Sequence, residues 1–143
     1  MESKRQKMLR TTFGREMFHH RYEATVPEMT VARHAVRAFA REHGFGDAKL
    51  SDIELAVGEA LNNAEEHGAQ THGHVFLSCS FDGNVLVIDI SDDGPGFAPE
   101  RLAEPSHSGG VAARGFGVFI MRRLMDDVTF SQGGRKVTLV KRL

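Results

Sequence analysis

One stretch of the sequence, from Glu59 to His67, carries acidic and amide side chains at a spacing that suits chemistry on a helix. Glu59 and Asn63 are four residues apart, so on a helix they lie about 40° from each other on one face. Asn62 and Glu66 extend the same polar strip. A carboxamide oxygen is a hard ligand of the kind that Mg²⁺ takes, and a nearby carboxylate can orient or deprotonate an attacking hydroxyl or water. An ordinary solvated helix face is the alternative, although two adjacent asparagines in mid-helix favour a site because Asn is a poor helix former.

A second candidate site lies at Asp92–Gly96, directly after an apolar alternating run that ends at Ser91. A carboxylate at a strand end, here Asp92, can accept a hydrogen bond from the exocyclic amine of adenine. Gly94 and Gly96 would let the backbone approach a planar ring closely. A plain surface turn is the alternative interpretation, because Asp, Gly and Pro are the usual turn residues.

A third candidate is a glycine-rich run that leads into an amphipathic helix. Its candidate binding residues are Gly109, Gly110, Arg114, Gly115, Phe116 and Gly117. Free N–H groups and the positive dipole end of a helix N-terminus suit phosphates, and Arg114 would add a charge-assisted contact. The run contains neither GxxxxGK[ST] nor GxGxxG, which excludes a Walker-type loop and removes the main argument for a Rossmann dinucleotide site. A flexible linker ahead of a helix is the alternative.

The first candidate is predicted to lie on a helix from Ser51 to Gly68. Ser51 is a good N-cap, and Glu54 three residues later completes a capping box. The apolar positions that define one buried helix face are Ile53, Ala56, Val57, Ala60, Leu61 and Ala64. The polar strip borders this apolar face, so its side chains can line a pocket while the helix stays anchored in the core.

The other elements are predicted from hydrophobic periodicity and from turn residues. They are a strand at 16–26, a helix at 27–43 with an apolar stripe of Val31, Ala35, Ala38 and Phe39, hairpins at 74–91 and 127–142, and a helix at 115–125. The connection at 92–114 is long for a compact domain, which indicates a binding or lid role. Two antiparallel hairpins and three helices predict an α/β (α+β) two-layer sandwich with helices on one face of the sheet.

Composition narrows the classes of protein. A chain of 143 residues fits one domain, and a net charge of −1 argues against a direct nucleic-acid binder that works by bulk electrostatics. No apolar stretch approaches the roughly 20 residues of a membrane helix, so we expect no membrane association and a cytoplasmic location. Cys79 is the only cysteine and is predicted to be buried and inert. Residues 1–15 are predicted to form a flexible basic tail ahead of a domain at 16–143.

The three candidate segments, in this order and spacing, resemble the N, G1 and G2 boxes of the GHKL superfamily (gyrase, Hsp90, histidine kinases and MutL). The sequence around these segments is similar to that of the bacterial anti-sigma-factor serine/threonine-protein kinases. The similar stretches are LAVGEALNNA at residues 55–64 and GFGVFIM at residues 115–121. The resemblance covers roughly Phe18 to the C-terminus. It implies a Bergerat ATP-binding fold, in which a mixed, mostly antiparallel sheet is covered on one face by three helices.

The resemblance also implies roles for individual residues. Glu59 matches the catalytic base, Asn63 matches the ligand of Mg²⁺, and Asp92 matches the aspartate that reads adenine. The implied ligands are therefore ATP and Mg²⁺. At 134–136 this chain has Gly134-Arg135-Lys136 where the family often has Gly-Thr-Thr, so a threonine that helps the adenine site is replaced.

The resemblance implies partners as well, and two further functions stay open. Family members phosphorylate a STAS-type anti-sigma-factor antagonist and sequester a sigma factor, commonly as homodimers. One alternative is an ATP-binding regulatory module without phosphotransfer. The other is the catalytic domain of a split histidine kinase, because only about 15 residues precede the first predicted strand. A metal site built on His19-His20 or on His72 and His74 is not favoured, since neither pair has a clear third ligand.

Overall fold

The computed structural model describes residues 8–12, 15–69, 72–94 and 109–143. Of these, the side chains of 8–12, 69 and 109–115 are not described. The strands are β1 (Met8–Thr12), β2 (Arg15–Glu23), β3 (His74–Phe81), β4 (Val85–Asp92), β5 (Asp127–Ser131) and β6 (Lys136–Arg142). The helices are α1 (Val26–Glu42), α2 (Asp47–Ala69) and α3 (Gly109–Leu124).

The strands form one six-stranded sheet in the order β1-β2-β3-β4-β6-β5. Every pairing between these strands is antiparallel, in a sheet that was expected to be mixed and mostly antiparallel. A short turn joins β3 to β4 and β5 to β6, and two strands joined by a short turn must run antiparallel. Both hairpins are confirmed near their predicted boundaries.

Alternation along the strands gives the sheet one apolar face. In β4, Leu86, Ile88 and Ile90 are buried, and the residues between them are half-buried on the other face. Cys79 of β3 is buried in the same core, as predicted. All three helices pack on one another through α2, which also packs against β3 and β4. The two-layer α/β sandwich is therefore confirmed.

The buried face of α2 is also confirmed, since all six predicted positions are 5 % exposed or less. Its predicted start is wrong. The helix begins at Asp47, and the N–H of Leu50 already donates to the carbonyl of Gly46 at 2.8 Å. Ser51 therefore lies inside the helix and caps nothing. Glu54 pairs instead with Arg37 of α1, at 3.0 Å between Oε1 and Nε.

Helix α1 is capped by Thr25, whose hydroxyl accepts from the N–H of Glu28 at 3.4 Å. Its apolar stripe differs from the predicted one, because Val31 and Ala38 are exposed. The apolar residues buried on α1 are Met29, Ala32, Val36, Phe39 and Ala40. This second stripe has the same helical spacing, so periodicity alone did not distinguish the two.

The N-terminal segment differs from the expected tail. Met8–Thr12 form strand β1, in which Leu9 pairs with Phe18 and Arg10 with Met17. The physical reason is that β2 has two hydrogen-bonding edges, and β1 satisfies the edge that β3 leaves open. Residues 1–7 lie outside the described residues.

Candidate functional site

A small pocket, with a cavity volume of about 10 Å³, lies where α2, α3 and the neighbouring ends of β4 and β6 meet. Its lining residues are Ala60, Asn63, Ala64, His67, Ile90, Asp92, Met121, Phe130, Gly134, Arg135 and Val137. Most of these side chains are apolar, and the polar ones are few, which is the usual make-up of a small-molecule site. Asn63 and Asp92 come from two different candidate segments of the sequence, and the fold places both in this one pocket.

Asp92 is the buried carboxylate of the pocket, with 7 % of its surface exposed. Its Oδ1 accepts a hydrogen bond from the N–H of Gly94 at 2.7 Å, and its Oδ2 lies 4.0 Å from Nδ1 of His67. Burial raises the pKa of Asp92 above the usual value, while the Gly94 bond and His67 oppose that rise. Oδ1 is therefore engaged, and Oδ2 is the oxygen that remains for a ligand.

Gly94 follows this carboxylate and packs directly on the end of α2. A Cβ atom built on Gly94 would lie 2.6 Å from the carbonyl oxygen of His67 and 2.9 Å from Oδ1 of Asp92. No side chain fits there without moving backbone. The second candidate segment is thus tied to the first by close backbone contact. Gly96 lies outside the described residues.

Gly117, in the glycine-rich third candidate segment, lies against the first candidate segment on α2. A Cβ atom built on it would lie 3.1 Å from Oε2 of Glu59 and 3.9 Å from Nδ2 of Asn63. Glu59 and Asn63 are both half-buried, on the side of α2 that faces α3. Nδ2 of Asn63 is buried and has no hydrogen-bond partner among the residues that the structure describes. A buried amide without a partner is costly in a folded protein, so the site is suited to a polar ligand that supplies one.

Of the predicted residues on α2, only Asn63 lines this pocket. Asn62 and Glu66 are exposed, and Asn62 lies in a different groove, between α1 and α2, with Arg33 and Met29. A residue next to Asn63 on a helix points about 100° away from it, which explains the separation. The polar strip of α2 therefore splits, and only Glu59 and Asn63 face α3.

The glycine-rich segment also differs from its prediction. Helix α3 begins at Gly109, six residues before the predicted start, so Gly110, Arg114 and Gly115 lie within its first two turns. Ala112, Ala113 and Arg114 are good helix formers and sustain the helix between the glycines. The side chain of Arg114 is not described, and Phe116 is 43 % exposed. The free N–H groups at the start of this helix thus belong to Gly109 and the next residues.

Three residues that line the pocket were not among the predicted binding residues: His67, Gly134 and Arg135, of which the last two were noted only as a departure from the family pattern. His67 follows Asn63 by four residues, so helical spacing was a usable signal for it. Arg135 and Gly134 depend on which strand pairs with β4, and that pairing joins residues far apart in the sequence. No local pattern carries this information.

Together, these features suit a planar ring that carries a hydrogen-bond donor. A buried carboxylate at a strand end can accept from a base amine, an apolar pocket wall can hold a ring, and an amide without a partner sits beside a carboxylate on the next turn of the helix. An α/β sandwich with this site is a nucleotide-binding domain.

The chain belongs to the histidine kinase-like ATPase domain family, which it matches over residues 22–141. Its relatives include the anti-sigma F factor of Bacillus velezensis, 29 % identical over 87 % of this chain and 91 % of that protein. The anti-sigma F factor of Clostridium acetobutylicum is 31 % identical over 68 % of this chain and 71 % of its own length. The serine-protein kinase RsbW of Oceanobacillus iheyensis is 30 % identical over 68 % of each chain.

A solved structure has the same fold. It contains the RsbU and RsbW domains of a Mycobacterium tuberculosis protein and superposes with a TM-score of 0.57 at 20 % identity. The match covers 88 % of this chain and 31 % of that one. None of the helices in the described ranges has the length and apolar character needed to cross a bilayer. Across those ranges, no three His, Cys, Asp or Glu side chains are grouped as metal ligands.

Proposed function

We propose that this protein is an ATP-binding anti-sigma factor with serine/threonine-protein kinase activity. One observation supports it above the others: Gly117 of α3 seats against Glu59 and Asn63 of α2, at the margin of the pocket that holds Asp92. This contact brings the first and third candidate segments together beside the pocket that Asp92 of the second segment lines. Relatives that carry the names anti-sigma F factor and serine-protein kinase support the same activity.

The residues take distinct roles in this proposal. Oδ2 of Asp92 accepts from the amino group of adenine, while its Oδ1 stays on the Gly94 N–H. The side chain of Asn63 holds Mg²⁺ through its oxygen and donates from its free Nδ2 to a phosphate oxygen. Magnesium supplies charge neutralisation on the phosphates when it is bound. The N-terminus of α3 and Arg114 bind the phosphate chain.

Glu59 is the proposed general base. Its carboxylate lies within one helical turn of Asn63, so it faces the end of the phosphate chain that Asn63 holds. There it takes the proton of an attacking serine or threonine hydroxyl, which raises the nucleophilicity of the oxygen. The phosphoacceptor protein is a STAS-type anti-sigma-factor antagonist, and a sigma factor is the protein sequestered.

The rest of the proposal concerns context. The ATPase domain spans residues 16–143, with strand β1 of residues 8–12 added at the edge of its sheet, the chain acts as a homodimer in the cytoplasm, and it binds neither nucleic acid nor membrane directly. A homodimer is testable by light scattering of the purified protein with and without ATP and magnesium. A monomer at all concentrations would remove that part and leave the kinase assignment standing.

The kinase activity is tested with labelled ATP, magnesium and the STAS antagonist encoded in the same genome. Glu59→Gln is expected to slow label transfer to Ser or Thr by about 10²–10⁴-fold, the usual contribution of a general base. Glu66→Gln is the matched control, because Glu66 is exposed on the same helix and lies away from the pocket. Its transfer rate should equal that of the wild type.

Two outcomes contradict the proposal in different ways. Absence of transfer by the wild type, with ATP binding intact, indicates a regulatory module without phosphotransfer. In that case Asn63→Ala abolishes partner regulation and Glu59→Ala does not. Absence of ATP and ADP binding by calorimetry, with magnesium supplied, removes the nucleotide site itself.

A further inference from the structure

Arg135 occupies a position in the pocket that places a cation beside the buried carboxylate. It precedes β6, in which Val137 and Leu139 are buried against the helices. Arg135 lines the pocket at its solvent-exposed rim. Lys136 lies on the opposite face, where it lines a surface depression with His19 and Arg21.

The backbone of Arg135 is fixed at the level of Asp92. The N–H of Asp92 donates to the carbonyl of Arg135 at 2.9 Å, and the N–H of Arg135 donates to the carbonyl of Gln132 at 3.2 Å. Arg135 has αR backbone angles at the end of the 3₁₀ turn at 132–134. These two backbone hydrogen bonds therefore hold the Cα atom of Arg135 next to Asp92.

The guanidinium of Arg135 is not used within the described part of the protein. The ion pairs among the described residues do not include Arg135, and its exposed side chain is near enough to Asp92 to lower the pKa of that carboxyl slightly against the effect of burial. Five N–H donors thus stand at the edge of a pocket whose buried carboxylate is an acceptor. A donor and an acceptor side by side match the edge of adenine, where the ring nitrogen N1 accepts and the adjacent amino group donates.

We propose that Arg135 is a base-reading residue, which donates a hydrogen bond to N1 of the adenine ring whose amino group Asp92 accepts. The inference rests on the proposed nucleotide site and adds a specificity residue to it. In this proposal the chain reads the base with a charged donor. A charge-assisted hydrogen bond is stronger than a neutral one, so N1 contributes much of the affinity.

The test uses calorimetric binding of ATP and of 1-deaza-ATP, in which a carbon replaces N1. Arg135→Met keeps the length of the side chain and removes its donors. For the wild type, the change from ATP to 1-deaza-ATP is expected to weaken binding by about 10-fold or more, as for a hydrogen bond to a charged donor. Arg135→Met should bind ATP more weakly by a similar factor and should no longer distinguish the two nucleotides.

Lys136→Met is the matched control, since Lys136 is the next residue and faces away from the pocket. It should retain the wild-type preference for ATP over 1-deaza-ATP. If Arg135→Met loses affinity equally for both nucleotides, or loses none, Arg135 does not read N1 and the inference fails. If the wild type binds no adenine nucleotide, the proposed function itself is wrong. That result differs from the one in which the wild type binds ATP but Arg135 does not read N1.

Discussion

Gly117 of α3 lies against the carboxylate of Glu59 on α2, where an added Cβ atom would stand 3.1 Å from Oε2. That distance is shorter than an ordinary van der Waals contact between carbon and oxygen. The absence of a side chain at Gly117 therefore sets how closely α3 approaches the proposed base. Glycine in mid-helix costs up to about 1 kcal/mol relative to alanine, so this close approach has an energetic cost.

Gly117→Ala is expected to separate stability from activity. The added methyl group must displace the carboxylate of Glu59, so label transfer to the antagonist should fall by at least about 10-fold, as for a small misplacement of a catalytic group. The midpoint of urea unfolding should stay constant or rise, because alanine favours the helix. Both quantities are measured on the same preparation.

Gly58→Ala is the control for that substitution. Gly58 precedes Glu59 on α2, and its added Cβ would meet only Cδ of Arg33, at an ordinary 3.7 Å. It should gain the same helical stability of up to about 1 kcal/mol and keep full kinase activity. If Gly117→Ala is as active as Gly58→Ala, the Glu59 carboxylate is not placed by Gly117.

Asp92→Asn is expected to weaken ATP binding by about 10-fold or more. The amide keeps an oxygen for the N–H of Gly94 but replaces Oδ2 by a donor, which opposes the donating amino group of adenine. Isothermal titration calorimetry with ATP and magnesium measures the change. An affinity equal to that of the wild type would mean that Asp92 does not contact the base.

We also expect Asp92→Asn to change how the free energy of unfolding, measured without nucleotide, depends on pH. Burial raises the pKa of Asp92 in the folded state, so the protonated form is favoured there. The stability that Asp92 contributes is complete below its unfolded pKa of about 3.9 and is lost as the pH rises through its folded pKa. The free energy of unfolding of Asp92→Asn should therefore exceed that of the wild type increasingly as the pH rises from 4 to 7. A constant difference across that range would contradict the prediction.

Elements with a regular spacing of apolar residues were predictable from the sequence. Elements that form only by pairing with a segment far away in the sequence were not. The buried face of α2 was predictable because six apolar residues share helical spacing from Ile53 to Ala64. Strand β1 was not, because Met8–Thr12 become a strand only by pairing with β2. The start of α2 was misplaced because Ser51 has the local signature of a cap, while the helix extends one turn further to Asp47.

The same distinction applies to the site. Glu59, Asn63 and Asp92 were predicted as site residues because each belongs to a short segment with a recognisable composition, and the fold places Asn63 and Asp92 in one pocket. Arg135 was noticed only as a departure from the family, because its place beside Asp92 follows from the register of β6 on β4. Register is set by many side chains of both strands together, and a window of sequence does not contain it.

Gly94→Ala is expected to destabilise the protein and to weaken ATP binding together. The added Cβ would lie 2.6 Å from the carbonyl oxygen of His67, and a backbone atom at the end of α2 cannot move alone. Overpacking of this kind costs about 1–3 kcal/mol, measured by urea unfolding. Gly46→Ala is the control, because nothing lies within 4 Å of its added Cβ. Equal stabilities of the two variants would show that the turn after Asp92 has room to move.

Lys141→Met tests how the two site helices are held together. Lys141 is 7 % exposed, and its Nζ donates both to the carbonyl of Leu124 at the end of α3 and to Oδ2 of Asp52 on α2, the latter at 3.2 Å. Methionine fills the space but leaves the Leu124 carbonyl without its donor, so the free energy of unfolding should fall by about 1–3 kcal/mol. Lys49→Met removes a donor to the carbonyl of Arg142 that lies in solvent, and it should cost less than about 0.5 kcal/mol. If Lys141→Met lowers the free energy of unfolding by no more than Lys49→Met does, the buried ammonium stabilises neither helix. The cost of removing the ammonium from water would then offset both of its hydrogen bonds.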